Sequence, residues 1–530
     1  MSNPLSRRVS GGEISFGLAV LAGAVAACVV LPLTWLFLEA ATIDPERAWS
    51  LLFRQATLDI VLNSLLLMGL VTGFSILLGV PLAYLTTRTD LPFRRFWSVA
   101  VALPLVVPSY LGAFAFVSAF GPRGEFHDLL APLGIQRLPE IYGFPGATLV
   151  ITLYTFPYVY LTTRGALLSF DTRLVDAART LNHDRWRAFK RVTLPHLRPA
   201  IAAGGLLSAL YAVSDFGTPA IMRLPVFTRQ IYVEYRSFGQ GYAALLSLQL
   251  LVIVLAVLAL ERWVRPGEDV HGSGTSRAEE PPVRLGKWRW PAMALPASIV
   301  FLALVVPLWI FGRWLVTAGR SHPSMGFQWS YAFNSVGIAA AAAFVAVLAS
   351  LPVAYYAARS DSLLSTLFER ATYVGFAVPG IVLALTLVYF GTRLVPWFYQ
   401  TLPLLVFAYV IRFMPQSVGS IRTSTLQTDP TLFEAAQTLG ESSFGAFRRV
   451  TLPLIAPGIV AGAALVFLTT MKELPITIML RPGGFETLVT QIWQARNSVN
   501  LEYVAVPALI LIVVSGLSLV VLLSQEGNEY

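Results

Sequence analysis

The sequence predicts an all-α polytopic membrane protein, with about twelve transmembrane helices arranged as two homologous six-helix halves related by parallel pseudo-two-fold symmetry. Three observations carry this expectation: composition, the lengths of the apolar runs, and a long internal repeat. The 530 residues are 56% hydrophobic and only 13% charged, with a mean hydropathy of +0.67. Soluble chains carry about 25% charged residues, so a soluble enzyme and a disordered chain are excluded. The single cysteine, Cys28, excludes an intramolecular disulfide framework.

A helical span needs about 20 mostly apolar residues. Candidate runs lie at 16–38, 60–86, 96–120, 146–169, 199–222, 241–263, 290–316, 333–357, 371–392, 400–420, 454–480 and 502–525. The weakest are 96–120, which carries Pro104 and Pro108, and 400–420, which carries Arg412. Lipid offers the backbone no hydrogen-bond partner, and the runs are continuous rather than alternating, which selects helices over a barrel. The first run is about 23 residues, too long for the 7–15 of a signal peptide, and reads as an uncleaved span with Cys28 as a small buried hydrophobe. The N-terminus and segments 88–95, 164–198, 262–289, 359–370 and 422–449 hold 24 of the 38 Lys and Arg residues. The excess of positive charge on cytoplasmic loops puts these segments and both termini inside. It also accounts for the net charge of +9 without nucleic acid.

Residues 176–199 read DAARTLNHDRWRAFKRVTLPHLRP and residues 434–457 read EAAQTLGESSFGAFRRVTLPLIAP, with twelve of 24 positions identical at an offset of 258. The same offset pairs Pro157 with Pro415, Arg164 with Arg422, Asp171 with Asp429 and Arg223 with Arg481. Upstream, an offset of 271 pairs Asn63-Ser64 with Asn334-Ser335, and Pro81, Tyr84, Arg88, Asp90 and Pro108 with Pro352, Tyr355, Arg359, Asp361 and Pro379. Six spans per half is an even number, so the halves have parallel topology. The expected division is a first half at 1–264, a polar cytoplasmic linker at 265–289 that reads as flexible, and a second half at 290–530.

The longest polar stretch of each half follows its fourth span. In the second half Asp429-Pro430 signals helix entry, Ala435 and Ala436 are small enough for another surface to approach closely, and Gly440 suits a left-handed helix end. A second short helix would place Phe444, Phe447 and Val450 on one face, with Arg448 and Arg449 toward water or phospholipid. Pro453 then restarts the chain into the membrane. Two related protrusions from a pseudo-symmetric body point to a symmetric docking partner.

Glu434-Ala435-Ala436, Gly440 six residues after the Glu, and Val450-x-Leu452-Pro453 resemble the EAA loop of ATP-binding-cassette importer permeases of type I. The first half keeps the spacing to Pro195 with Asp176, Ala177, Ala178 and Asn182, so Asp replaces the Glu and Asn the Gly. The resemblance covers nearly the whole chain. It implies that each loop forms a coupling helix seated in a cleft of an ATPase subunit, and that Asp176, Ala177, Ala178, Asn182, Pro195, Glu434, Ala435, Ala436, Gly440 and Pro453 carry the ATPase contact. It further implies two ATPase subunits forming a homodimer that binds ATP and Mg, a substrate-binding protein on the outer face, and a multi-pass place in the bacterial inner membrane. Ser214 to Pro219, Phe227 to Tyr232, Met471 to Pro475 and Leu480 to Phe485 are similar to the fused ferric-iron branch of that family. The resemblance thus implies ferric iron as substrate, with thiamine, polyamine or an anion as alternatives.

Charges are costly inside a bilayer and are usually kept for function. Asp215 and Glu473 match at the 258 offset, Lys472 adjoins Glu473, and Arg412 lies in the tenth span. They either line a translocation path, where oxygen ligands suit a hard cation, or form structural ion pairs. No His or Cys cluster suggests a high-affinity metal site. The chain has no G-x-x-x-x-G-K-[ST], so it does not hold ATP phosphates by that route and is not expected to be an enzyme. His127 and Asp128 read as a solvated outer loop. A proton-coupled secondary transporter using Asp215 and Glu473 is the rival from another class.

Overall fold

A computed structural model of the chain describes residues 16–121, 124–126, 131–134, 140–170, 180, 187, 189–237, 239–264, 282–321, 327–360, 362–495 and 501–526. Among the described residues the secondary structure is helical, apart from a single β-bridge between Thr89 and Val283. The first half runs α1 (Phe16–Ala41), α2 (Gln55–Arg88), α3 (Arg94–Val106), α4 (Ser109–Phe120), α5 (Phe144–Ser169), α6 (Leu194–Ser214), α7 (Gly217–Ile221), α8 (Phe227–Arg236) and α9 (Gln240–Val264). The second half repeats that order with α10 (Gly286–Val316), α11 (Trp329–Arg359), α12 (Leu363–Ala377), α13 (Gly380–Arg393) and α14 (Leu402–Gln427). Two short helices follow, α15 (Pro430–Thr438) and α16 (Ser443–Ala446), and then α17 (Leu452–Met471), α18 (Pro475–Leu480), α19 (Leu488–Ala495) and α20 (Ala505–Glu526).

Among the described residues nine helices are long and apolar enough to cross a bilayer, and two bent pairs raise the number to eleven. The pairs are α3 with α4, bent by 94°, and α12 with α13, bent by 103°. Each break falls at Val-Pro, Val107-Pro108 and Val378-Pro379. Proline has no N–H to continue the helix and drives the residue before it into extended backbone; Val107 and Val378 take ψ of 126° and 128°. The sequence pointed to 96–120 as weak but gave no warning at 371–392, although the offset of 271 pairs the two prolines. The expected spans 199–222 and 454–480 also stop early, at Ser214 and Met471. Conversely 400–420, weakened on paper by Arg412, is part of the unbroken α14.

The compact units cut across the sequence halves. One comprises residues 44–326 and 495–512, the other residues 1–43, 327–494 and 513–530. The division at 264 and 290 therefore follows the repeat and not the packing. In one unit α1 packs with α11 and α12: Trp35 meets Phe390 edge-on at 6.4 Å, and buried Glu39 pairs with Arg393 at 3.4 Å. In the other, α10 packs with α4 and α5: Tyr154 Oη donates to Ala303 O at 3.0 Å, Phe126 stacks on Trp309, and Arg313 pairs with Glu125 at 2.9 Å. Cys28 is exposed on α1, contrary to the buried position expected. Lipid is as apolar as a protein core, so apolar character in a span does not report which face is inside.

The linker needs a second correction. Residues 265–281 lie outside the described residues, but 282–289 are tied down rather than flexible. Val283 N donates to Arg88 O at 2.8 Å, Asp90 N to Val283 O at 3.2 Å, and Leu285 N to the Asp90 carboxylate at 2.7 Å. Leu285, Met293 and Val300 then pack on Leu91, Trp97 and Ala100.

Small residues let the spans approach closely. A Cβ at Gly204 would lie 2.5 Å from Val159 Cα, and one at Gly462, its partner in the repeat, 2.9 Å from Ser417 Cα. In both cases the obstacle is backbone of the neighbouring helix, which cannot step aside. Gly204→Val should therefore destabilise the first half by at least the roughly 1–3 kcal/mol typical of overpacking. The check is the thermal midpoint of the detergent-solubilised protein followed by size-exclusion chromatography. Exposed Gly165→Val, with open space around it, should leave the midpoint within error.

Candidate functional site

The polar loop of the second half is built as two capped helices. Asp429 accepts from Thr431 N at 2.9 Å, with Pro430 at the first helical position, the arrangement that satisfies orphan N–H groups. That N–H holds the Asp429 carboxyl below its ordinary range. The cap is therefore intact at neutral pH and is lost only as pH falls through the lowered value. At the other end Gly440 takes φ +93°, Gly440 N donates to Gln437 O at 3.0 Å, and Glu441 N to Ala436 O at 3.1 Å. These two bonds are the Schellman closure, which needs a left-handed residue at Gly440. Ser442 then caps α16 by accepting from Gly445 N at 3.1 Å.

A π-helical turn, Phe447–Thr451, joins α16 to α17, and Pro453 is the second residue of α17. The wider turn changes the register, and the expected face of Phe444, Phe447 and Val450 does not form. Phe447 is anchored edge-on against Tyr355 at 5.5 Å, whereas Phe444 is 73% exposed. Arg448 is exposed, and Arg449 pairs with Glu441. Ala436 and Ala446 are buried, while Glu434, Ala435, Leu439 (87% exposed) and Phe444 face outward. The loop is a knob of two capped helices with an apolar tip.

Asp176, Ala177, Ala178 and Asn182 of the first loop, and His127 and Asp128, lie outside the described residues. The described end of that loop matches its counterpart. The π-turn recurs at Phe189–Thr193, Phe189 meets Tyr84 edge-on at 5.5 Å, and Pro195 is the second residue of α6. The start of each loop is held as well: Arg88 donates to the carbonyls of Leu167 and Phe170, and Arg359 to that of Thr428 at 3.3 Å. The repeat had paired these tyrosines and arginines without giving them a role. It did the same for Asn-Ser. Ser64 accepts from Phe227 N at 3.1 Å and Ser335 from Leu488 N at 2.8 Å, while Asn63 and Asn334 donate to Pro225 O and Glu486 O. Both pairs fix the first turn of an amphipathic helix, α8 or α19.

The intramembrane charges sit at helix breaks, and the two halves differ. In the second half Glu473 lies in the gap between α17 and α18 and pairs with Arg412 at 3.5 Å, both largely buried. Arg412 also donates to Val378 O, a carbonyl at the α12–α13 break. One guanidinium thus ties two broken spans together. A Cβ at Gly380 would stand 2.5 Å from Glu473 Oε1, so a larger residue there would displace the carboxylate from its present place. In the first half Asp215 lies between α6 and α7. It accepts from Ser109 Oγ at 3.1 Å and from Gly217 N at 3.2 Å, and Tyr211 Oη donates to Ser109 at 3.1 Å. Ser109 stands at the position of Gly380, and Tyr154 at that of Arg412. Of the two readings of these charges, the ion pair describes Glu473 with Arg412, whereas Asp215 is held by hydroxyl and amide donors. Lys472 ends α17, its N–H on Thr469 O. Among the described residues no three His, Cys, Asp or Glu side chains come together as a metal site.

Residues 75–269 and 350–525 each match the family model of the binding-protein-dependent transport system inner membrane component. The chain belongs to this family. It is an importer permease of the ATP-binding-cassette type with two permease halves fused on one chain. The permease is 31% identical to the Fe(3+)-transport system permease protein FbpB 2 of Haemophilus influenzae, across 95% of this chain and 97% of that one. It is 24% identical to the ferric transport system permease protein FbpB of Actinobacillus pleuropneumoniae over 84% of its own length and 68% of the relative. The sulfate transport system permease protein CysT of Escherichia coli is 25% identical over 48% of the permease and 92% of its own length. That half-chain match is what fusion of two permease halves entails.

Proposed function

We propose that the permease is the membrane subunit of an ATP-driven ferric-iron importer of the bacterial inner membrane, with both termini cytoplasmic. Two identical ATPase subunits, which bind ATP and Mg, dock on loops 171–195 and 429–453, and a binding protein delivers substrate at the outer face. The observation that carries this reading is the capped knob at 429–453, whose exposed Leu439 and Phe444 are apolar side chains in a polar loop. Water-exposed apolar groups gain by insertion into a partner's cleft. The chain does no covalent chemistry. ATP shifts its access from inward to outward only through the different affinity of the two loops for the open and closed ATPases. The substrate rests on the relative's Fe(3+)-transport role along nearly the whole chain. A second reading, an oxyanion such as sulfate, is favoured by the half-chain relative.

Leu439→Glu with Phe444→Glu should abolish co-purification with the partner ATPase and all uptake into proteoliposomes. Uptake by the permease alone, driven by a proton gradient, would instead establish a secondary transporter. Uptake of sulfate in place of ferric iron from the loaded binding protein would select the oxyanion reading.

A further inference from the structure

The repeat makes Asp215 and Glu473 equivalent, but their surroundings assign them different work. Both lie beside a proline break. α12 has 15 residues and rises about 22 Å from the end of α11, less than the roughly 30 Å of a hydrocarbon core. The break at Val378-Pro379, and Arg412 bound to it, therefore fall within the membrane. α3 is no longer than α12, which puts Ser109 and the Asp215 carboxylate at a comparable depth.

At that depth Glu473 is neutralised. Arg412 pairs with it and also holds the Val378 carbonyl, and Gly380 packs directly against its Oε1. In this arrangement the Glu473 charge is offset by Arg412 through Oε2, while Oε1 is buried with no hydrogen-bond partner among the described residues. At Asp215 the counterparts are changed: Tyr154 replaces Arg412 and turns its hydroxyl to Ala303 O, and Ser109 replaces Gly380. Hydrogen bonds run from Tyr211 to Ser109 and from Ser109 to Asp215, and three residues on, the Thr218 hydroxyl is buried with no hydrogen-bond partner among the described residues. The result is a cluster of one carboxylate and three hydroxyls, all oxygen donors, the type preferred by hard cations. Among the described residues no Lys or Arg pairs with Asp215, and an ionisable group inside a membrane is a candidate functional site by default.

We propose that Asp215, with the hydroxyls of Ser109, Tyr211 and Thr218, contacts a transported hard cation at the broken span of the first half, whereas Glu473, neutralised by Arg412, is a positioning residue that holds the broken spans of the second. This rests on the importer reading above and on a cationic substrate. Contact is one-sided within the repeat, although the coupling loops are twofold.

The test uses the permease assembled with its ATPase in proteoliposomes, with ferric iron loaded on the cognate binding protein as the probe, and uptake counted per folded transporter. Asp215→Asn should lower initial uptake at least tenfold, with unchanged assembly and thermal midpoint. The double variant Arg412→Met with Glu473→Gln should lower the thermal midpoint but keep uptake within about twofold of wild type. If the double variant does not assemble, Arg412→Lys with Glu473→Asp, which keeps both charges on altered stems, is read the same way. Wild-type uptake by Asp215→Asn, or a loss in the Glu473 variants as deep as in Asp215→Asn, overturns the inference and leaves the importer reading standing. ATP-driven sulfate uptake by the wild type with no ferric-iron uptake removes the cation reading and this inference together.

Discussion

Gly440→Val is expected to uncouple the permease. Gly440 holds φ +93° so that two N–H groups can close the end of α15, and an L side chain there meets its own carbonyl. The cost is about 1–2 kcal/mol for an ordinary residue and more for a branched one. On a nine-residue helix, which is marginal by itself, a penalty of that size shifts the folded fraction of the knob by about 5- to 30-fold. Leu439, the residue before the turn, would then no longer be presented. Stimulation of the partner ATPase and ATP-driven uptake should fall by at least about that factor, while the spans stay folded by thermal midpoint. Asn tolerates the left-handed region, so Gly440→Asn should keep most of the coupling. Asn182, which occupies this position in the first loop, is a natural instance. Equal activity of the Val and wild-type forms would remove the cap from the mechanism.

Arg412→Ala should be the most destabilising single change at the broken spans. It leaves the Glu473 carboxylate buried without its cation and the Val378 carbonyl without its donor. Breaking a buried pair by removing one partner costs about 3–5 kcal/mol. Arg422→Ala is the control. Its pair with Glu369, at 3.3 Å, is partly exposed, and such pairs contribute about 0–1 kcal/mol. Thermal midpoints should rank wild type and Arg422→Ala together, with Arg412→Ala well below. Adding Glu473→Gln to Arg412→Ala should recover part of the loss, because the stranded charge and not the missing contact dominates. No recovery in that double-mutant cycle would mean that Glu473 is not the group Arg412 serves.

Much of the site was legible before any coordinates. The spacing of Asp429, Glu434, Gly440 and Pro453 announced a capped helix, a left-handed stop and re-entry to the membrane, and each local feature is present, because caps and stops are set by residues within one turn of each other. The face expected to join Phe444 to Phe447 was not legible. It assumed 3.6 residues per turn, and the π-turn after Ala446 breaks that period. Ser109 and Gly380 went unremarked although each follows a proline that the repeat had paired. Their importance lies in what they face, Asp215 and Glu473, more than ninety residues away along the chain.

The sequence by itself determined the membrane class, the doubling and the repeated polar loop motif, since hydropathy, composition and repeated spacing are local properties that a linear reading captures. Only the tertiary structure decided which unit α1 and α10 pack in, that 282–289 is strapped to Arg88 and Asp90, and that Arg412 belongs to Glu473 while Asp215 has hydroxyls for company. In lipid every span is apolar on all sides, so the pattern of hydrophobic residues does not say which helix meets which, and close packing of small residues, buried polar groups and proline breaks settles it.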